Sequence, residues 1–156
     1  MRFPHILLCV LLMFASCSGL STLTPEMLDQ AEAKWNGSRP TSYHLVVVMK
    51  GDRVERGEFD VEVQNNVVTS LKRNGAAVRS GAGQDYSIDG LFKIIRDEVD
   101  LSRNPVLLGA PEGYSAYLMA RFDGNTGRLQ HYRRSVGGAS NSIDIEVLKF
   151  EAPPAK

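Results

Sequence analysis

The sequence predicts a single α+β domain: a mainly antiparallel sheet with two helices packed on one of its faces. Two observations carry this reading. Apolar residues recur at helical spacing in two stretches, one ending near Trp35 and one starting near Ile88. The remaining chain holds short runs rich in β-branched and aromatic residues, joined mostly by turns short enough for hairpins. The expected order is helix, three strands, helix, three strands over residues 24–150, with an unstructured tail at 151–156. The two halves resemble a repeat in outline, although their residues do not match in detail.

Thr24-Pro25-Glu26 is a helix start, with a hydroxyl cap, a proline at the first helical position and an acid in the first turn. Met27, Leu28, Ala31 and Trp35 share a face, and Asn36-Gly37 is expected to end the helix. Thr41 to Lys50 reads as the first strand, and Gly51-Asp52-Arg53 as a turn. From Glu58 to Gln64, Phe59, Val61 and Val63 alternate with Asp60, Glu62 and Gln64. A third strand runs from Val67 to about Lys72. A two-residue turn at Asn65-Asn66 pairs Gln64 with Val67 and puts Val63 on the face of Val68, Ser70 and Lys72. A three-residue loop, Gln64-Asn65-Asn66, instead groups Val61 and Val63 with Val67, Thr69 and Leu71. The loop is preferred, because it keeps the apolar face together and Asn66 tolerates a left-handed conformation.

Asn74 to Asp85 is glycine-rich and irregular. Ser87 caps the second helix, where Ile88, Leu91, Phe92, Ile95 and Val99 hold core spacing. Arg103 to Gly113, with Pro105 and Pro111, is a long loop carrying Val106, Leu107 and Leu108. Ser115 to Phe122, Arg128 to Val136 and Ser142 to Phe150 complete the strands. Asp123-Gly124-Asn125-Thr126-Gly127 makes the first of their connections a tight hairpin, and Gly137-Gly138 a looser second one.

The N-terminus has the parts of a removable export signal over residues 1–16. Arg2 is the positive start, no acid precedes Glu26, and Ile6 to Phe14 is an unbroken apolar run. That run is far shorter than the roughly 20 residues of a membrane-spanning helix. Phe14-Ala15-Ser16-Cys17 resembles the bacterial lipobox, with phenylalanine where leucine is usual. In such signals the cysteine is alkylated by diacylglycerol, the peptide is cut before it, and the new amine is acylated. Cys9 leaves with the signal, so Cys17 remains as the sole mature cysteine and no internal disulfide is available. Cys17 is therefore the expected lipid attachment site, with residues 17–23 as a lipidated tether. Simple cleavage after Ser16 or Ser18 is the alternative.

Charge excludes a nucleic-acid footprint: from 18 residues of each sign, the leader removes one cation, Arg2, and leaves −1. No metal, cofactor or catalytic residue is nominated. His44 and His131 lie on strands without a third ligand at metal spacing. No Gly-x-Ser-x-Gly elbow occurs, and the glycines from Gly75 to Gly83 lack the Gly-Lys-Ser/Thr ending of a phosphate loop. Arg121, Arg128, Arg133 and Arg134 concentrate charge around one hairpin, either as a patch for anionic headgroups or an acidic partner, or as a solvated edge. Trp35 and Tyr43 fit helix-on-sheet packing. The 103–113 loop is the best remaining functional candidate; Leu107 and Leu108 are expected to cap the sheet, with presentation of a contact surface as the alternative.

Ala33-Lys34-Trp35, Tyr43, Val61-Glu62-Val63 with Val67-Val68, and Ser87-Ile88-Asp89 with Leu91-Phe92 resemble a family of small bacterial lipoproteins. Phe122-Asp123 with Gly127, and the run Ile143 to Val147 ending at Phe150, share the likeness. That family is known only as a domain of unknown function, so the resemblance implies fold and envelope location, not activity. Two departures are Arg128-Leu129, where an aromatic and proline are common, and the absence of cysteines near the first strand. Asp123-x-x-Thr126-Gly127 is also similar to the hairpin of PepSY domains, secreted modules associated with peptidase propeptides.

The expected protein is a non-enzymatic envelope lipoprotein facing the periplasm, with the outer membrane preferred over the inner. Its expected partners are membrane lipid, through acylated Cys17, and an envelope protein. A small secreted enzyme and a peptidase-inhibitor-like domain are the alternatives.

Overall fold

The computed structural model describes residues 19–52, 54–78 and 85–153; Cys17, the expected export signal at 1–16 and the end of the tail lie outside them. The elements are β1 (Ser21–Thr22), α1 (Pro25–Ser38), β2 (Tyr43–Gly51), β3 (Gly57–Gln64), β4 (Val67–Arg73) and β5 (Ala76–Ala77). There follow α2 (Ile88–Ser102), a 3₁₀ turn (Pro105–Leu108), β6 (Ala116–Phe122), β7 (Leu129–Val136) and β8 (Ser142–Glu151). The strands form one antiparallel sheet in the order β1-β6-β7-β8-β2-β3-β4-β5.

Two helices on a largely antiparallel sheet are thus present, but the order is richer than expected. The stretch 17–23 is not all tether, because Ser21 and Thr22 pair with β6 and Leu23 is buried. Glu151 belongs to β8, opposite His44, and not to the tail. The loop after α2 contains a 3₁₀ turn, which Pro105 opens and which tucks Leu108 inward.

Local chemistry explains the helix ends. Thr24 Oγ1 accepts from the Met27 N–H at 3.2 Å, capping α1. Gly37 does not stop the helix. The stop comes from Pro40, which pushes Arg39 into an extended conformation (φ −60°, ψ 135°). Ser87 Oγ caps α2 by accepting from the Gly90 N–H at 3.1 Å, and Asp85 accepts from the Ser87 hydroxyl at 2.7 Å. The Tyr43 hydroxyl accepts from the Ile88 N–H at 3.2 Å, joining β2 to the same helix start. Burial pushes that phenol up to about 12.

The β3–β4 connection overturns the preferred loop. Gln64 pairs with Val67 and Val63 with Val68, so the turn is the two-residue Asn65-Asn66, both at positive φ (51° and 63°). A bulge beyond Glu62 then shifts the register, so Val61 faces Leu71. Leu71 regains the core, whereas Val67 is 62% exposed. Turn geometry sets the first pairs and the bulge repairs the apolar face. Glycine suits the second left-handed position better, so Asn66→Gly is expected to raise stability by about 0.5 kcal/mol. Urea denaturation checks this, and a loss would assign the Asn66 side chain a stabilising role.

The core lies between the helices and one sheet face. Leu28, Ala31 and Trp35 of α1 and Leu91, Phe92 and Ile95 of α2 meet Leu45, Val47, Phe59, Val61, Ile143 and Ile145. Trp35 packs edge-on against Tyr43 and Phe150, with ring centroids 5.8 and 6.0 Å away, as helix-on-sheet packing requires. Its indole N–H donates to Asp89 at 3.1 Å.

Candidate functional site

The sheet register gives the domain two unlike ends. At the turn end lie the Asn65-Asn66 turn, the Asp123–Gly127 turn and the C-terminus of α1. Lys34 donates to the Gly124 carbonyl at 3.1 Å and Ser38 to that of Thr126 at 3.1 Å, seating α1 on this turn. At the loop end, β2 finishes at Gly51 beside the start of β8, and β7 finishes at Val136 beside the start of β6. The 103–115 connection crosses here.

That connection is held from beneath by buried charge. Tyr132, Arg134 and Val136 alternate toward the helices along β7, so the guanidinium of Arg134 is fully buried. Its Nε lies 2.6 Å from Glu98 Oε2 on α2, itself 6% exposed. Arg134 Nη2 donates to Asn141 Oδ1 at 2.8 Å, and Asn141 Nδ2 donates to the Leu108 carbonyl at 2.9 Å. One chain of polar contacts thus runs from helix through sheet to loop. Burial, reinforced by the charge of Glu98 and opposed by Arg134, pushes the Tyr132 phenol well above its ordinary value.

Leu108, Ala110 and Val136 form a small second core under the loop, while Val106 and Leu107 are each 60% exposed. The expected capping therefore holds for Leu108 but not for Leu107, which takes the alternative. Leu108 caps, and Val106 and Leu107 present a surface. Beside Leu107 opens a cleft of about 550 Å³ with Val54, Ile94 and Leu101 as apolar lining and Asp97 and Asp100 as exposed acids, Glu98 at its floor being paired with Arg134. Its makeup suits binding an apolar segment that carries positive charge.

The basic hairpin does not form a patch. Arg134 is buried against Glu98, Arg133 pairs with Asp144 at 2.8 Å, and Arg128 stacks over Phe150 at 4.5 Å. Arg121 meets Gln130 at 3.1 Å. Alternation along the strands sends these side chains to opposite faces, which adjacency in sequence conceals.

His44 and His131 occupy the sheet face away from the helices. His44 Nε2 lies 3.0 Å from Asp60, and His131 Nε2 3.2 Å from Asp144. His44 also borders an open hollow of about 380 Å³ with Glu62, Glu151 and Pro153. Both make cross-strand contacts with an aspartate on that face. Among the described residues, no three or more His, Cys, Asp or Glu side chains are grouped to hold a metal ion. Among them also, no helix is long and apolar enough to cross a membrane. Cys17 lies outside the described residues.

The Asp-x-x-Thr-Gly spacing has a local explanation. Asp123 Oδ1 accepts from the Thr126 N–H and hydroxyl, each at 2.8 Å, and from the Asn125 N–H at 3.2 Å. Those donors, the Thr126 N–H first, hold its carboxyl below the ordinary range. Gly127 adopts φ 74° where the hairpin meets α1.

Sequence reading missed the Arg134–Glu98 pair, although a signal existed. Arg134 is in phase with Tyr132 and Val136, and Glu98 with Leu91, Ile94 and Ile95. Opposite charges in the apolar phase of two elements mark a buried pair. No curated protein and no solved structure matches the chain. One family model matches residues 27–106, from α1 into the 3₁₀ turn, so the likeness noted at Phe122-Asp123, Gly127 and β8 lies outside the match. Spanning half of the sequence and the elements from α1 through α2, that match shows that the chain belongs to the family of unknown function DUF6174.

Proposed function

We propose that this chain is a bacterial cell-envelope lipoprotein, acylated at Cys17, that works as a non-enzymatic binding or assembly module facing the periplasm. The observation that carries the binding reading is the loop end, where Val106 and Leu107 are exposed above a buried ion-pair network. Apolar side chains on a rigidly supported loop, beside a cleft with acids, suit contact with an envelope protein presenting apolar and basic residues. Enzymatic readings call for a deep cleft joining His44 or His131 to a carboxylate. Both histidines meet an aspartate, but on an open sheet face, which favours binding over catalysis.

Intact-mass measurement of the exported chain beside Cys17→Ala tests the anchor. The expected result is an acyl increment on the N-terminus that the substitution abolishes, and an unmodified mature chain overturns it. Crosslinking from position 107 in envelope preparations tests the surface. A defined protein adduct there, absent from a probe at position 125, is expected.

A further inference from the structure

We infer that the bilayer surface is a partner of the turn end: the domain stands end-on, with that end against the lipid headgroups and the loop end turned away. The inference rests on the proposed acylation of Cys17. Its basis is the path of β1. Ser21 pairs with Ala120 and Thr22 with Met119, and the Leu23 N–H donates to the Leu118 carbonyl at 2.9 Å. From Ser21 onward the chain is therefore part of the sheet. Because β1 is antiparallel to β6, the chain traced back from Ser21 leads toward Phe122 and the Asp123–Gly127 turn.

Only four peptide steps separate Cys17 from Ser21, a reach of at most about 14 Å when fully extended. The sheet is longer than that, since a ten-residue strand such as β8 spans about 33 Å. Ser21 stands opposite Ala120, two residues from the turn end of β6 and four from its loop end, and the chain leaves it in the turn-end direction, so an anchor at Cys17 holds the turn end nearer the surface.

Surface chemistry agrees. The turn end presents Asn36, Ser38, Arg39, Asn65, Asn66 and Asn125, all exposed hydrogen-bonding side chains suited to a headgroup layer. Of the exposed large apolar side chains, Val106, Leu107, Tyr114 and Tyr117 lie toward the opposite end, where they would face a protein and not lipid, while Val67 stands beside the Asn65-Asn66 turn and would meet the headgroup layer. The contact is polar and shallow, so acyl chains supply the attachment and the short tether supplies the direction.

The test uses the exported, acylated chain in phosphatidylethanolamine–phosphatidylglycerol vesicles doped with a headgroup-quencher lipid. Acylation blocks the Cys17 thiol, so a fluorophore can be placed singly at Asn125→Cys, Tyr117→Cys or Leu107→Cys. Quenching is expected to fall in that order, by about three-fold from 125 to 107 across the length of the sheet. Inserting ten Gly-Ser residues after Ser18, a coil of about 18 Å, is expected to erase the order. Equal quenching at all three positions, strongest quenching at 117, or an order unchanged by the insertion overturns the inference. Intact mass separates the two levels of failure. An unacylated chain overturns the anchor and the orientation together, whereas an acylated chain without the order overturns the orientation alone.

Discussion

Arg134→Met is expected to destabilise the domain by about 3–5 kcal/mol, while Glu98→Leu combined with Arg134→Met restores most of the loss. Arg134 is fully buried and Glu98 nearly so, with their charges 2.6 Å apart. Removing the guanidinium strands a carboxylate where water cannot solvate it, and leaves Asn141 without its donor. Removing both charges eliminates the desolvation cost along with the attraction, and two apolar side chains of similar bulk fill the site. Urea denaturation of the wild type, both single variants and the double variant reads the coupling. A double variant as unstable as the worse single one would show that the pair contributes more than mutual neutralisation. The network also bears on function, because Asn141 holds the Leu108 carbonyl. In Arg134→Met the 103–113 loop is therefore expected to become the first site of limited proteolysis, with crosslinking from position 107 weakened in step.

Gly127→Ala is expected to be comparably damaging, at about 3 kcal/mol or more. Two causes add. The residue sits at φ 74°, in the left-handed region, and a methyl group there would lie 2.1 Å from the Ala31 carbonyl oxygen and 2.9 Å from the Trp35 nitrogen. Both obstacles are helix backbone, so no rotamer change relieves them, and α1 must lift from the hairpin. Gly124→Ala, three residues away with nothing within 4 Å, is the control and should change stability by no more than about 0.5 kcal/mol. Thermal denaturation of the two variants separates the close approach from a general intolerance of the turn. Equal midpoints would remove the hairpin–helix contact from the account of stability.

Features carried by a few consecutive residues were legible. Thr24-Pro25-Glu26 and Ser87 begin their helices as expected, because a cap is a bond between neighbours in the chain. The Asp123–Gly127 hairpin forms where its turn chemistry lies. Errors arose where two local rules competed. Asn36-Gly37 looks like a helix end, yet the backbone constraint imposed by Pro40 on Arg39 prevails. At Asn65-Asn66 the grouping of apolar residues favoured one register and two-residue turn geometry another. The bulge that reconciles them has no sequence signature of its own.

For the candidate site, the division follows range. The proposed export signal with Cys17 and the absence of recognisable catalytic motifs are read from linear patterns, without coordinates. Which arginine of the hairpin is buried depends on where Glu98 stands, across more than thirty residues of intervening chain. Likewise, each half of the sheet is a run of hairpins that local turns specify. Their union is not, since β8, the last strand, pairs with β2 across most of the chain. The same is true of β1, where two residues of an apparent tether join the edge of β6. By itself, then, the sequence determined the α+β elements with their caps and turns, because those rest on contacts between near neighbours. The tertiary structure alone decided the β2–β8 junction, the buried Arg134–Glu98 pair and the direction in which the N-terminus leaves the domain. Each of these requires burying surface from segments distant in the chain, and no local pattern encodes the partner.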